Sequence, residues 1–268
     1  MSTDKNSEIT NTTEFKDEFG KFSKNYSSFR PLYPDSLYQL IEESVDLEHR
    51  ELVIDVGCGS GQNSIKLPKI FKKVLAFDPS EGQILSALKH NQVEYKVGSA
   101  EKIDVPDNSA DAISAATCLH WFNLPLFFKE AERILKSGGY LVVFTYGLHE
   151  ISNNEEAARV QNELYDVTIG PEYRNETVHA LVKSGYRDIA FPFKDTKRTS
   201  LKFKTKVSIT SLIGHYSSMS PYSNYVKTNP DPLPQVKEKI LKAYQTNDDQ
   251  TPLVECEYTL SIIISKKD

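Results

Sequence analysis

The chain has 268 residues, 39% hydrophobic and 26% charged, with a formal net charge of −5. That is enough apolar sequence to bury a full α/β core in one domain with insertions. The acidic balance excludes a general nucleic-acid binder, which carries a basic footprint, and no apolar run approaches the roughly 20 residues a membrane-spanning helix needs.

Residues 1–14, MSTDKNSEITNTTE, are polar and acidic, unlike a signal or transit peptide, and are expected to form a disordered tail. Residues 15–50 are expected to hold a lid and a first helix. Asp35 is placed to cap that helix from Ser36 to about Val45, with Leu37, Leu40, Ile41 and Val45 on one face. From 51 to 146 short apolar runs alternate with stretches of helical period. The runs are LVIDV (52–56), KVLAF (73–77), VEYKV (93–97), DAISAA (111–116) and YLVVFTY (140–146). The clearest helix covers 124–136 and stops at Ser137-Gly138-Gly139. This alternation predicts a parallel sheet with right-handed crossovers.

After residue 147 the rhythm changes. Residues 150–185 read as mostly helical, and RDIAFPF (187–193) reads as a strand that Pro192 ends or confines to an edge. SLKFKTKV (200–207) alternates with period two. A polar, Pro-rich stretch (217–235), a helix (235–245) and a strong strand, ECEYTLSIIIS (255–265), follow. Lys194, Lys197, Arg198, Lys202, Lys204 and Lys206 form a basic cluster. Its lysines largely alternate with Leu201, Phe203 and Val207, as a strand with one solvated, aggregation-resistant face requires. Cys58, Cys118 and Cys256 have neither CxxC nor metal spacing, so free thiols, a reducing cytoplasmic setting and no metal are expected.

The chemistry concentrates in VIDVGCGSGQ (53–62), where three glycines at alternate positions leave backbone room for a phosphate, a dinucleotide or S-adenosyl-L-methionine. A phosphate loop needs a lysine after the last glycine, and none follows Gly61. A dinucleotide site wants Gly-x-Gly-x-x-Gly, whereas the spacing here is Gly57-x-Gly59-x-Gly61 with Asp55 just ahead. A carboxylate there repels a pyrophosphate and suits a ligand carrying an ammonium and a sulfonium. Asp78 closes the second strand, where a carboxylate accepts both ribose hydroxyls. The alternative for Asp78 is a helix cap or turn residue.

Residues 51–146 resemble the class I S-adenosylmethionine-dependent methyltransferases, through VIDVGCGSG (53–61), SAEKIDVPDNSAD (99–111) and EAERILKSGGYLVV (130–143). YSSFRPLYP (26–34) and CLHWFN (118–123) are similar to the trans-aconitate and related small-acid carboxyl methyltransferases. The resemblance is close over the first half of the chain and looser beyond. It implies a Rossmann-like α/β fold with a seven-stranded, mostly parallel sheet, one antiparallel edge strand and helices on both faces. Segments 187–193 and 255–265 would supply the antiparallel pair. Residues 51–146 would be the cofactor-binding core, and 147–268 the substrate-side helices and closing strands of the same domain.

Carried over by position, Asp55 and the backbone of Gly57, Cys58, Gly59 and Gly61 would face the methionyl part of the cofactor. Asp78 and Pro79 would meet the ribose, and Ser99 and Ala100 the adenine edge, with Ser99 standing where many relatives have Asp. Thr117 would lie beside the reactive methyl. Tyr26, Arg30 and Tyr33 belong to the lid. Arg30 either clamps the cofactor's carboxylate, clamps an acid acceptor, or packs in a turn set by Pro31 and Pro34. His120, Trp121, Tyr146 and Tyr222 would line the acceptor pocket. His120 is the catalytic candidate, against the alternative of a helix-start donor. The implied reaction is O-methylation of a small organic acid, whose carboxylate, with a reference pKa near ~4, is ionised at pH 7 and needs no base. Its rivals are a hydroxyl or carbon of a lipid-like or quinone-like acceptor, which needs one, and a macromolecule. The expected partner is a small molecule, with no nucleic acid or membrane, and the expected state is a monomer or weak homodimer.

Overall fold

In the computed structural model, which describes Phe29 and residues 31–268, eight strands form one sheet in the order β3-β2-β1-β4-β5-β8-β6, with β7 also paired to β8. The strands are β1 (Leu52–Val56), β2 (Lys73–Asp78), β3 (Val93–Val97), β4 (Ala110–Ala116), β5 (Leu135–Tyr146), β6 (Glu150–Ile151), β7 (Asp195–Ser208) and β8 (Pro252–Lys266). The first five pair in parallel, while β8 runs antiparallel to β5, β6 and β7. The helices are α1 (Asp35–Ser44), α2 (Glu81–Leu85), α3 (Leu124–Ile134), α4 (Glu155–Asn162), α5 (Glu176–Lys183), α6 (Ile209–Ser217), α7 (Ser220–Tyr225) and α8 (Leu233–Ala243). The Rossmann-like expectation holds, with β6 as a short addition to the seven strands. The expected tail and most of the lid, including Tyr26 and Arg30, lie outside the described residues.

Central strands are apolar on both faces because both faces are covered. Val53, Val74, Ala112, Val142, Phe144 and Leu260 pack with Leu37 and Ile41 of α1, Leu212 of α6 and Ile240 of α8. Ile54, Leu75, Ile113, Leu141 and Val143 point the other way, against Phe127 and Ile134 of α3. Each such side chain, fully withdrawn from water, contributes about 1.5–3 kcal/mol. Asp111, wholly buried at the start of β4, accepts the amides of Glu51 and Leu52 at 3.1 and 2.7 Å and Lys136 Nζ at 2.7 Å. It therefore locks the entry of β1 to that of β4.

Four expectations change. Residues 187–193 form no strand; they are a loop whose Ile189 and Phe193 plug the second core, with Pro192 unable to donate to a ladder. In place of 187–193, the later strand that pairs antiparallel with β8 is β7, beginning at Asp195, and α6, α7 and α8 intervene between the two strands. Asp35 does not cap α1. Pro34 holds the cap position, and Asp35 in the first turn pairs with Lys69 at 2.9 Å. Helix α3 ends at Ile134, short of the glycines, and Gly138 at φ 76° lies within β5.

Candidate active site

Parallel strands bring the ends of β1, β2, β4 and β5 to one edge of the sheet, where α/β proteins gather their ligands. The loop after β1 crosses that edge with Gly57, Gly59 and Gly61 at φ of 60°, 54° and 85°. Side chains resist this left-handed region, and two of the glycines are also crowded. A Cβ on Gly57 would sit 2.9 Å from Cys118 Sγ, and one on Gly61 2.2 Å from the Tyr95 hydroxyl. At Gly59 the same atom would meet only Gln83 Oε1, at 4.0 Å. Gly57 and Gly61 are thus packed against protein, while Gly59 faces open space.

Two carboxylates hold this loop from beneath. Asp55, with no exposure, accepts Asn63 Nδ2 at 2.7 Å and the Ser64 hydroxyl at 2.6 Å. Asn63 also bonds the Ser114 hydroxyl at 2.9 Å and accepts the Tyr38 hydroxyl at 3.1 Å. Burial raises the Asp55 carboxyl to about 7, because its donors are neutral and only partly offset the desolvation. Asp78 accepts the amide of Gly59 at 2.8 Å through one oxygen and that of Ser80 at 2.9 Å through the other. The cap of α2 is Ser80, not Asp78. Asp78 instead clips the glycine loop to the end of β2.

Around the loop several buried polar atoms make no hydrogen bond among the described residues: Gln62 Nε2, Gln83 Oε1 and the Tyr95 hydroxyl, which stands beside Ser64. Such orphans are costly unless a ligand or water completes them. An open glycine, unsatisfied donors and acceptors, and a buried carboxylate bonded only by neutral groups fit a polar, cationic ligand such as S-adenosylmethionine. Ser99 and Ala100 follow β3 just past Gly98, whose amide donates to the Asp78 carbonyl at 3.1 Å, and Pro79 lies between Asp78 and Ser80.

At the tip of β4, Thr117 has φ of 54°, a strained setting for a β-branched residue. Its hydroxyl lies 3.0 Å from that of Tyr33, whose ring packs on Phe144 and Tyr146. The described end of the lid segment therefore reaches the sheet edge. The next turn, Leu119–Trp121, buries His120 and leaves Trp121 40% exposed, their rings 5.1 Å apart. His120 Nδ1 lies 2.7 Å from the hydroxyl of the wholly buried Tyr186. Tyr222 donates its hydroxyl to Asp231 at 3.0 Å and packs, like Tyr33, against the core cluster that holds Phe144 and Tyr146. Cys58 and Cys118 are buried free thiols whose ionisation burial opposes, so neither is a ready nucleophile. Among the described residues no His/Cys/Asp/Glu group could hold a metal ion, and no helix is long and apolar enough to cross a membrane.

Sequence reasoning passed over Asn63, Ser64, Gln83, Tyr95 and Tyr186. Asn63 and Ser64 left a faint trace as a polar pair just after the glycines, but Tyr186 left none, since only the fold brings it under His120.

Comparison with known proteins bears on this edge directly. A family described as a methyltransferase domain matches residues 54–143, from β1 through β5. A provisionally assigned methyltransferase of Dictyostelium discoideum is 43% identical over 263 residues, 98% of this chain and 99% of that protein. A Saccharomyces cerevisiae protein, provisionally assigned as an S-adenosylmethionine-dependent methyltransferase, is 29% identical over 146 residues, 52% of this chain and 50% of its own. Among solved structures, a provisionally assigned type II methyltransferase from Anaeromyxobacter dehalogenans superposes with a TM-score of 0.73 at 32% identity, covering 89% of this chain and 97% of that one. With the glycine loop, its supporting carboxylates and this full-length relationship in place, the chain belongs to the class I S-adenosylmethionine-dependent methyltransferases.

Proposed function

We propose that this enzyme O-methylates the carboxylate of a small organic acid, as do the trans-aconitate-type relatives its YSSFRPLYP and CLHWFN segments resemble. One observation carries the reading. The imidazole at the tip of β4, the group best placed to act as a base, has its Nδ1 engaged by a buried phenol, while Asp55 is bonded to Asn63 and Ser64 and Asp78 holds the Gly59 and Ser80 amides. An acceptor that arrives already ionised needs no base, and a carboxylate does so at pH 7.

In this reading Asp55 supports the loop, and the backbone of Gly57, Cys58, Gly59 and Gly61 lies along the methionyl part. Asp78 and Pro79 meet the ribose, and Ser99 and Ala100 the adenine. Bound there, the cofactor supplies an electrophilic methyl group whose transfer to an oxygen anion leaves a neutral thioether. The protein's part is alignment and exclusion of water. Thr117 and Tyr33 wall the transfer point, His120, Trp121 and Tyr146 border the acceptor, and Tyr26 and Arg30 close over it. Tyr222 and the α4–α7 region contribute the outer side of the pocket, and the enzyme works in the cytoplasm as a monomer or weak dimer. Incubating the protein with methyl-labelled cofactor and an extracted pool of small acids, then identifying products by mass, tests the proposal. Label in a methyl ester supports it. Label only in phenols, lipids, RNA or protein refutes it.

A further inference from the structure

Helix α6 contains a glycine that its own backbone does not call for. Gly214 lies within Ile209–Ser217 and lacks the positive φ of the loop glycines. Alanine would fit that conformation and hold a helix better. The reason for the glycine lies outside the helix. A Cβ on Gly214 would come within 2.6 Å of Cγ, Cδ1 and Cε1 of Phe29, so one side of the phenyl ring rests in the notch that the missing side chain leaves. One position on, His215 Nδ1 stands 3.3 Å from the Phe29 carbonyl. The notch is firm because the helix is held from behind. Ile209, Leu212 and Tyr216 are buried in the core, and the Tyr216 hydroxyl donates to Gln161 Oε1 at 2.6 Å. Ser208 caps the helix by accepting the Ser211 amide at 3.1 Å.

A short, stiff stretch of chain joins Phe29 to the tips of β4 and β5. Four residues on, Tyr33 packs against Phe144 and Tyr146 and meets the Thr117 hydroxyl at 3.0 Å. Pro31 and Pro34 flank Leu32 and Tyr33, and their rings fix φ at about −65°. With two prolines, little conformational freedom is lost when the chain is held at both ends. Beyond them the Pro34 carbonyl accepts the Leu37 amide at 3.0 Å and Asp35 pairs with Lys69 at 2.9 Å, which fastens the stretch to α1. The two aromatic rings thus have their partners on different elements, Phe29 on α6 and Tyr33 on the strand tips. Leu32, between them, is 57% exposed and marks the outer side of this stretch.

We propose that Gly214 is a positioning residue whose notch seats Phe29, and that the seated ring draws the chain across the carboxyl edge of the sheet as a strap, setting Tyr33 against Thr117 and enclosing the bound cofactor. The inference rests on the proposed transfer point beside Thr117 and not on the identity of the acceptor. The strap supplies neither a proton nor a nucleophile. Its part is to keep water from the site and to hold one wall of it still. Only glycine serves as the seat, because a methyl group and the ring cannot share the space. A less stable α6 is the condition for closing the site. Binding energy at the notch, on a helix remote from the glycine loop, in this way sets how long the cofactor stays.

Gly214→Ala, Phe29→Ala and their combination, made in the full chain, test this. In the wild-type background the new methyl meets the ring, so Gly214→Ala should leave Tm unchanged or lower it. Once Phe29→Ala has removed the ring, adding Gly214→Ala should raise Tm by about 2–4 °C, the worth of alanine over glycine in a helix of a chain this size. Surface plasmon resonance on the immobilised protein reads the release of S-adenosylhomocysteine. Release should be at least about fivefold faster in each single variant and no faster still in the double variant. The same Tm gain with and without Phe29 would show that the ring does not fill the notch. Wild-type release in both single variants, or losses that add, would show that the strap does not enclose the cofactor. Either result overturns the proposal. Should Gly214→Ala not fold, Phe29→Ala, which adds no clash, still decides through its release rate. Failure of the wild type to methylate any acid would count against the proposed function alone, because every readout is taken without an acceptor.

Discussion

Gly59→Ala separates ligand space from protein packing more cleanly than any other substitution in the glycine loop. The native φ is 54°, so a methyl there costs about 1–2 kcal/mol of left-handed strain. Space adds nothing, because the nearest atom to the new Cβ is Gln83 Oε1 at 4.0 Å. Gly61→Ala meets the same strain plus the Tyr95 hydroxyl at 2.2 Å, an overpacking term of about 1–3 kcal/mol. At roughly 2–4 °C per kcal/mol for a chain of this size, Gly59→Ala should lower Tm by about 2–8 °C, and Gly61→Ala by more. The affinities should run the other way. The Gly59 methyl projects where the cofactor is proposed to lie, so Kd for S-adenosylhomocysteine should rise at least tenfold, about 1.4 kcal/mol, in a protein that remains folded. Thermal denaturation and calorimetric titration of both variants decide. A folded Gly59→Ala with wild-type affinity would refute the placement of the ligand along this loop.

Asp55, held at about 7 in the folded chain against an ordinary 3.8, keeps a proton that the unfolded chain has released between those values. Stability should therefore fall as pH rises through that window, and Asp55→Asn should flatten the fall, measured by urea denaturation at pH 5 and 8; an unchanged slope would count against a buried, titrating Asp55. A cationic ligand favours the ionised carboxylate, so S-adenosylmethionine binding should release a proton and tighten from pH 6 to 8, read from calorimetry in buffers of different ionisation enthalpy; pH-independent affinity would contradict it. Asp111→Ala strands two backbone amides and Lys136 and should cost about 2–4 kcal/mol, with cofactor affinity kept once the protein is folded; a loss under 0.5 kcal/mol, on the order of a surface substitution, would refute the lock. Arg30→Lys, if Arg30 clamps an acid acceptor, should raise that acceptor's KM more than about tenfold, since an ammonium lacks the guanidinium fork; unchanged kinetics would remove Arg30 from the site.

The features readable in the sequence were those written in local pattern. The five parallel strands announced themselves because each is a short apolar run bounded by glycine or polar residues. The glycine loop was legible because its backbone demands small residues at fixed spacing. RDIAFPF was misread because Ile189 and Phe193 are buried as a loop plug, and alternating burial in a loop looks like alternating burial in a strand. Asp78, expected to meet a ribose, anchors the Gly59 amide, a role set by the nearness of β1 and β2 that no local pattern shows. The Asp55–Asn63–Ser114–Tyr38 network and the Tyr186–His120 pair join residues from different elements, and no local signal records such meetings.

The position of β8 has a consequence for how the chain reaches this state. It enters between β5 and β7, placing Tyr140 opposite Lys266 and Tyr146 opposite Leu260. These partners are far apart in sequence, so the loop-closure entropy is met late and the sheet should complete slowly relative to its local helices. Until then β7 is a long strand with unpaired backbone and apolar side chains at Leu201, Phe203 and Val207, an invitation to intermolecular pairing. Lys202, Lys204 and Lys206 stand between them. Lys202 and Lys204 find Glu257 and Glu255, at 2.9 and 2.8 Å, only once β8 has docked. Before docking these unpaired charges act as gatekeepers that keep copies of the intermediate apart; afterwards the same lysines fasten the strand that ended the exposure.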